Sequence, residues 1–114
     1  MEKNLVDPDK VFAALADGNR RKIIELLHEE NATLLQLAEH FPISFQALSK
    51  HIKVLESAQV IHKEKQGKYR ILSLNREALR PSLEWISFYS RFWNESFDKL
   101  DELINKSNSN GDPE

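Results

Sequence analysis

The chain has 114 residues and a formal net charge of −2, which leaves room for one domain with its own core. It contains no cysteine, and this excludes disulfides, zinc–thiolate sites and thiol redox sensing. No apolar run approaches the ~20 residues needed to cross a membrane, and the N-terminal segment lacks the apolar core of a signal peptide. We therefore expect a cytoplasmic protein with no membrane partner.

The charge is distributed unevenly along the chain. Residues 1–43 and residues 71–114 each carry −3, whereas residues 44–70 carry +4. A local basic patch is sufficient to attract phosphate, because fields beyond about 10 Å are screened in physiological salt. Residues 44–70 are therefore the candidates for contact with a polyanion.

Two helices are predicted in the first thirty residues. Pro8, which follows a capping Asp, suits the first position of a helix, and this helix is predicted to end at Gly18. Asn19 is predicted to cap a second helix over residues 20–28. Arg20 and Arg21 lie in its first turn, where cations oppose the helix dipole. Contact with a DNA phosphate and ordinary solvation both explain these two arginines.

A third and a fourth helix follow, separated by a short turn. Thr33 and Gln36 match a capping box for a helix over residues 34–41. Pro42 and Ile43 then leave so few residues that the next helix, residues 44–58, must cross the third one sharply. This arrangement is typical of a helix-turn-helix.

The fourth helix has an apolar face and a polar, cationic face. Phe45, Leu48, Ile52 and Leu55 recur at spacings of three and four and predict the buried face, and Ser44 is predicted to cap the helix. A polar face of this kind suits a DNA major groove, although an ordinary solvated face would also explain it. Its residues are Gln46, Lys50, Lys53 and Ser57, flanked by Ser49 and His51.

A basic β-hairpin is predicted directly after this helix. Two β-prone runs within residues 60–74 flank Gln66-Gly67, and glycine permits the positive φ of a tight turn. The order of elements predicts a mainly α fold with a small β-hairpin wing, α-α-α-α-β-β-α, which is a winged helix-turn-helix. The hairpin carries Lys63, Lys65, Lys68 and Arg70.

The last predicted helix, about residues 83–104, contains six of the ten aromatic residues. A helix that is apolar on more than one side needs more than one surface to bury it, so we expect it to form a dimer interface with the first helix. The alternative is a monomer whose last helix lies across its own core. The domain would span residues 1–104, with a disordered tail at 105–114. The predicted interface consists of Val11, Phe12, Leu15, Trp85, Ile86, Tyr89, Phe92, Trp93, Phe97 and Leu100.

Three segments together resemble the ArsR family of bacterial winged-helix repressors. They are LADGNRRKIIELL, LLQLAEHFPISFQALSKHIKVLESAQVI and KEKQGKYRILSLN, within roughly residues 11–75. The resemblance implies a homodimer that binds inverted-repeat operators in double-stranded DNA and blocks transcription. Gly18 stands where the family usually has Pro, and Gln59 where it often has Gly. The implied DNA contacts are Ser44, Gln46, Ser49, Lys50 and His51 from the recognition helix and Lys63, Lys65, Lys68 and Arg70 from the wing.

The metal-sensing residues of the family are missing. Its metal-responsive members use Cys pairs on the third helix or clusters of His, Asp and Glu on the last. Here the third helix reads LLQLAEHF, and the last helix has acids but no His. Carboxylates alone make a poor transition-metal site. The chain therefore resembles the metal-independent members of the family, and we expect no cofactor.

Enzymatic chemistry is not expected. His28-Glu29 begins like a zinc-protease motif, but Ala32 stands where the second His is required. The prediction is a homodimeric DNA-binding repressor without catalytic residues. The alternative is a winged-helix protein-interaction module that acts through its aromatic last helix. An unidentified small-molecule or protein inducer docked on that helix would change the spacing of the two DNA-reading helices.

Overall fold

The computed structural model describes the backbone of residues 6–111 and the side chains of residues 6–107. The chain divides after Ser82 into two compact units. The fold is mainly helical with a small antiparallel sheet, as predicted. The helices are α1 Pro8–Ala14, α2 Gly18–Glu29, α3 Leu34–Ala38, α4 Phe45–Ser57 and α5 Arg76–Gly111, and the strands are β1 Ala32–Thr33, β2 Ile61–Gln66 and β3 Tyr69–Leu74.

The core of the first unit is built around α4. Leu48, Ile52 and Leu55 are buried there, as their spacing predicted. Burying a side chain of this size stabilises a fold by about 1.5–3 kcal/mol, so this face fixes the rotation of α4 and turns its polar face to solvent. Phe45 shares the predicted apolar face but is 48% exposed in the first turn of α4. The core residues from other elements include Val11, Ile23, Leu27, Leu37, Val60, Ile61 and Leu72.

The predicted hairpin is confirmed and belongs to a three-stranded sheet of order β1-β3-β2. Gln66 pairs with Tyr69, so the turn contains Gly67 and Lys68. Gly67 has φ +64°, and a positive φ at the first of two turn residues is the type II′ pattern that favours glycine. Strand β1 was not predicted, because two residues are too few to show a period.

The boundary between the first two helices differs from the prediction. Helix α1 ends at Ala14, and Gly18 begins α2 instead of ending α1. Asp17 caps α2 in place of the predicted Asn19, because its Oδ1 accepts hydrogen bonds from the Asn19 and Arg20 backbone N–H groups at 2.8 and 3.2 Å. A carboxylate is a strong acceptor for N–H groups that have no partner within the helix.

The predicted caps of α3 and α4 are confirmed. Thr33 and Gln36 form both hydrogen bonds of the capping box at α3, although α3 ends at Ala38 and not at residue 41. Ser44 caps α4 by accepting from the Ala47 N–H at 3.0 Å. These side chains satisfy N–H groups at the start of each helix and so fix where α3 and α4 begin.

Helix α5 is longer than predicted at both ends. It begins at Arg76, passes through Pro81 and continues to Gly111, so helix replaces the expected disordered tail over residues 105–111. Residues 112–114 of that predicted tail lie outside the described residues. Large apolar side chains on the second unit are exposed in the single chain, among them Leu83, Trp85, Ile86, Phe88, Tyr89, Phe92, Trp93, Phe97, Leu100, Leu103 and Ile104.

Candidate nucleic-acid interface

The polar face of α4 is available to a partner. Gln46, Lys50 and Lys53 are exposed, whereas Ser49 and His51 are half-buried. Ser44 is exposed at the N-terminus of the helix, and its hydroxyl can still donate while its oxygen accepts from Ala47. This face therefore presents amide, ammonium and hydroxyl donors along one side of a rigid helix.

One face of the hairpin changes from apolar to cationic along its length. Lys63 lies opposite the buried Leu72, and Lys65 lies directly opposite Arg70. Residues opposite each other in an antiparallel pair project from the same side of the sheet, and like charges in such a pair are destabilising. The Lys65–Arg70 pair therefore lowers the stability of the isolated hairpin, and an anionic partner would remove the cost.

A cleft joins this face of the hairpin to α4. Its volume is about 310 Å³, and its apolar part comes from Leu34, Ile52 and Leu72. The polar part combines one hydroxyl with three cationic groups, so an anion fits its chemistry. These polar lining residues are Ser49, Lys53, Lys63 and Arg70, all four of which were predicted DNA contacts.

The three cations of the cleft differ in their ion pairing. Lys63 Nζ lies 3.6 Å from Glu56 Oε1 of α4, which partly neutralises its charge. Within residues 6–107, neither Lys53 nor Arg70 has a carboxylate partner within 4.0 Å. Unpaired cations beside one cleft attract an anion more strongly than paired ones. Glu56 was not singled out from the sequence, because a contact between a helix and a later strand leaves no local signal.

Arg20 and Arg21 are both engaged with the end of α1. Arg20 Nε donates to the Ala14 carbonyl at 2.8 Å, and Arg20 Nη2 donates to the Ala13 carbonyl at 3.3 Å. Arg21 Nη1 donates to the Leu15 carbonyl at 2.8 Å. These carbonyls end a helix and lack partners within it. Both arginines were predicted to contact phosphate, and the structure gives each a role inside the protein.

Arg20 also reaches α4. Its Nη1 lies 3.1 Å from Nδ1 of His51 on α4, and the same Nδ1 lies 4.0 Å from Asp17 Oδ1. The network therefore joins the end of α1, the start of α2 and the middle of α4. Asp17 was missed in the sequence because Gly18 was interpreted as a helix end, although Asp is a preferred N-cap residue.

The charge state of Asp17 is set by its capping role. The Arg20 backbone N–H is the largest influence lowering the pKa of the Asp17 carboxyl below its ordinary 3.8, and the Asn19 N–H and the charge of Arg20 act in the same direction. Asp17 is therefore ionised at neutral pH. Its contribution to stability is present above pH 3.8 and is lost as the pH falls through the lowered value.

The remaining predicted residues lie at several places. Lys65 and Lys68 are exposed on the hairpin, with Lys68 Nζ 5.9 Å from the centroid of the Tyr69 ring.

Of the predicted dimer residues, Val11 is fully buried in the core and offers no surface to a partner. Phe12 is 37% exposed and Leu15 is half-buried. The predicted residues of α5 are exposed in the single chain.

Comparison with known proteins places these features in a family. A family model described as a helix-turn-helix domain matches residues 15–64. The transcriptional repressor SdpR of Bacillus subtilis is 38% identical over 78 residues, which cover 68% of this chain and 87% of the relative. A crystal structure of an ArsR family transcriptional regulator superposes with a TM-score of 0.68 at 30% identity, covering 75% of this chain and 94% of that one. The chain belongs to the ArsR family of winged helix-turn-helix transcriptional regulators.

A further similarity agrees with this membership. An HTH-type transcriptional regulator of Mycobacterium tuberculosis is 35% identical over 100 residues, covering 85% of this chain and 88% of that protein. These relatives are regulators and not enzymes, and the chain is a DNA-binding transcriptional regulator.

The described residues form neither a metal-binding cluster nor a membrane-spanning helix. Among residues 6–107, no three His, Asp or Glu side chains are grouped so that they could hold a metal ion. No helix in the described part of the chain is both long and apolar enough to cross a membrane.

Proposed function

We propose that the protein is a homodimeric repressor that binds an inverted-repeat operator through α4 and the β2–β3 hairpin. The observation that carries the proposal is the cleft in which Lys53 of α4 and Arg70 of β3 have no carboxylate partner among the side chains of residues 6–107. A phosphate held there would contact the reading helix and the wing together. Such a contact fixes the register of a protein on DNA without reading sequence.

The base-reading residues are proposed on the exposed face of α4. Gln46 would form a bidentate pair with adenine and Lys50 would donate to guanine, each contributing about 1–3 kcal/mol of discrimination. Ser44, at the N-terminus of the helix, would donate to a phosphate. Lys65 and Lys68 would contact the backbone near the minor groove from the end of the wing.

The dimer is proposed to form through α5. Its exposed aromatic and aliphatic side chains include Ile86, Tyr89, Trp93, Leu100 and Ile104, which recur at mostly three- and four-residue spacings. A soluble monomer rarely exposes so much contiguous apolar surface. A second copy would bury this surface, and Phe12 and Leu15 of α1 are proposed to contribute to the same dimer. Two recognition helices related by a twofold axis would then enter successive major grooves.

We also propose that regulation is independent of metal and that the protein acts in the cytoplasm. The third helix has no cysteine and the last helix has no histidine, so the residues with which the family's metal sensors bind their ions are missing. An inducer, if one acts, would be a small molecule or a protein that docks on the aromatic surface of α5 and changes the separation of the two reading helices.

The test is selection of bound fragments from random duplex DNA by the purified protein. We expect an inverted repeat whose half-sites are about 10 base pairs apart. The Lys50→Ala variant should lose preference at one position of each half-site, while Lys10→Ala, an exposed lysine of α1, should select the same sequence.

Failure of this selection would have a specific meaning. An absence of enrichment, with binding that does not change with salt, would overturn the repressor proposal. It would favour the second candidate, a protein-interaction module that acts through α5, because apolar contacts depend little on ionic strength.

A further inference from the structure

We infer that Arg20 is a positioning residue that fixes His51 as a hydrogen-bond donor toward DNA. A guanidinium group has five N–H donors and no acceptor. Arg20 Nη1 lies 3.1 Å from His51 Nδ1, so Nδ1 must be the acceptor of this bond. The proton of the neutral imidazole is therefore on Nε2. The inference rests on the proposed function, since it makes His51 the hydrogen-bond donor in one contact of the proposed DNA interface.

The Nε2–H group is open to a partner. His51 Nε2 makes no hydrogen bond within the described part of the chain. In that part, the buried polar side-chain atom without a hydrogen-bond partner is Ser82 Oγ. His51 Nε2 is therefore not a buried, unpartnered atom. His51 is half-buried on α4, with 19% of its side chain exposed. It therefore combines a fixed ring with one donor that solvent can reach.

Arg20 is itself held rigidly. Two of its nitrogens donate to the Ala13 and Ala14 carbonyls at the end of α1, and its backbone N–H donates to Asp17 Oδ1 at 3.2 Å. A planar guanidinium anchored at several points loses little entropy when it makes one more hydrogen bond. The anchors at α1 and α2 thus determine the tautomer of a histidine on α4.

Because the Nε2–H of His51 can donate a hydrogen bond but cannot accept one, it selects its partner. Nε2–H pairs with purine N7, guanine O6, thymine O4 or a phosphate oxygen, whereas the amino groups of cytosine N4 and adenine N6 are donors and would be rejected. His51 would thus distinguish acceptors from donors at the position it faces. Without Arg20 the ring could take either tautomer, and this discrimination would weaken.

The first measurement is the tautomer of His51 in the free protein, by ¹⁵N NMR of the imidazole nitrogens at neutral pH. We expect a protonated Nε2 and an unprotonated Nδ1. A proton on Nδ1, or a doubly protonated ring, would overturn the inference whatever the protein does with DNA. Conversely, failure of DNA selection with the expected tautomer would count against the proposed function and would leave the Arg20–His51 contact established.

The second measurement compares Arg20→Gln with Arg21→Gln. Each variant removes one positive charge and side-chain hydrogen bonds to the carbonyl end of α1, two from Arg20 and one from Arg21. Of the two arginines, only Arg20 contacts His51. We expect Arg20→Gln to mix the His51 tautomers and to relax preference at one base position about threefold to tenfold. Arg21→Gln should preserve both the tautomer and the preference. Equal effects of the two variants would reduce Arg20 to a structural role and overturn the inference.

The His51→Ala variant identifies the acceptor and remains informative if Arg20→Gln does not fold. A loss of preference confined to one base pair would support a base edge as the acceptor. A uniform loss across all sequences, with a shallower salt dependence, would support a phosphate oxygen. Unchanged affinity and unchanged preference would remove His51 from the interface and overturn the inference.

Discussion

Single residues set the geometry of α4 and the hairpin, the elements that we propose contact DNA, and Gln59 shows this at the end of α4. Its φ of +64° lies in the left-handed region. The Gln59 N–H donates to the Glu56 carbonyl at 2.9 Å, and the Val60 N–H donates to the Leu55 carbonyl at 2.9 Å. This is the pattern of a Schellman motif, in which glycine is the preferred residue at the left-handed position. The chain leaves α4 through this turn and enters the β2–β3 hairpin.

We predict that Gln59→Gly is more stable than Gln59→Ala by about 1 kcal/mol. A Cβ in the left-handed region costs about 1–2 kcal/mol, and glycine avoids this cost. Glycine also loses more conformational freedom on folding, which offsets part of the difference. Both variants lack the Gln side chain, so their difference isolates the Cβ. Thermal unfolding should show a Tm about 4–8 °C higher for the glycine variant. Equal Tm values would show that the turn is not strained.

The sequence predicted this residue's importance only in part. Gln59 was recognised as standing where the family often has glycine, which indicates a special backbone conformation. The roles of Arg20 and Asp17 were not predicted. Their contacts with the end of α1 and with His51 depend on where α2 begins, and a helix boundary is the least reliable feature of a sequence-based prediction.

At the scale of elements, α4 and the hairpin were predicted correctly because each carries a regular pattern. The three-and-four spacing of Leu48, Ile52 and Leu55 matches their burial, and glycine in the turn matches a hairpin. The cleft between α4 and the hairpin was not predictable, since its cations, Lys53, Lys63 and Arg70, come from three different elements. The length of α5 was also missed, because Pro81 suggested a boundary, and the helix instead passes through it.

Helix α5 provides the element-scale prediction. Trp93 is 52% exposed in the single chain, within 5.8 and 6.5 Å of the Phe92 and Phe97 rings. We predict that Trp93→Glu weakens dimerisation by about tenfold or more, since a buried, unpaired carboxylate is costly. Sedimentation equilibrium would measure the monomer–dimer constant. Asn94→Glu adds the same charge one position along the helix and should leave the dimer intact.

Two outcomes would contradict this dimer assignment. A wild-type protein that remains monomeric at all accessible concentrations would contradict the proposed dimer. Equal weakening by Trp93→Glu and Asn94→Glu would indicate a general effect of charge on α5 and not a specific interface at the aromatic surface.

At the scale of the whole molecule, function depends on where charge lies and not on its total. The net charge of −2 conceals a +4 segment at residues 44–70, and the fold brings cations of that segment from α4 and the hairpin to one cleft. Acidic segments before and after it keep the protein from being a general polycation. This distribution could be predicted from the sequence, because it requires only counting the charged residues in each segment. The structure shows in addition which of these cations lie together and which already have a carboxylate partner.

The central claim, that α4 and the hairpin together hold a DNA phosphate, is tested most directly by the salt dependence of operator binding. On the selected duplex, the slope of log affinity against log salt is about −0.9 for each phosphate neutralised. We predict that the Lys53→Gln, Arg70→Gln double variant has a slope shallower by about 1–2 per protomer, with its base preference retained. The control double variant Lys10→Gln, Lys99→Gln removes the same charge elsewhere and should keep the wild-type slope. Equal slopes for the two double variants would contradict the claim.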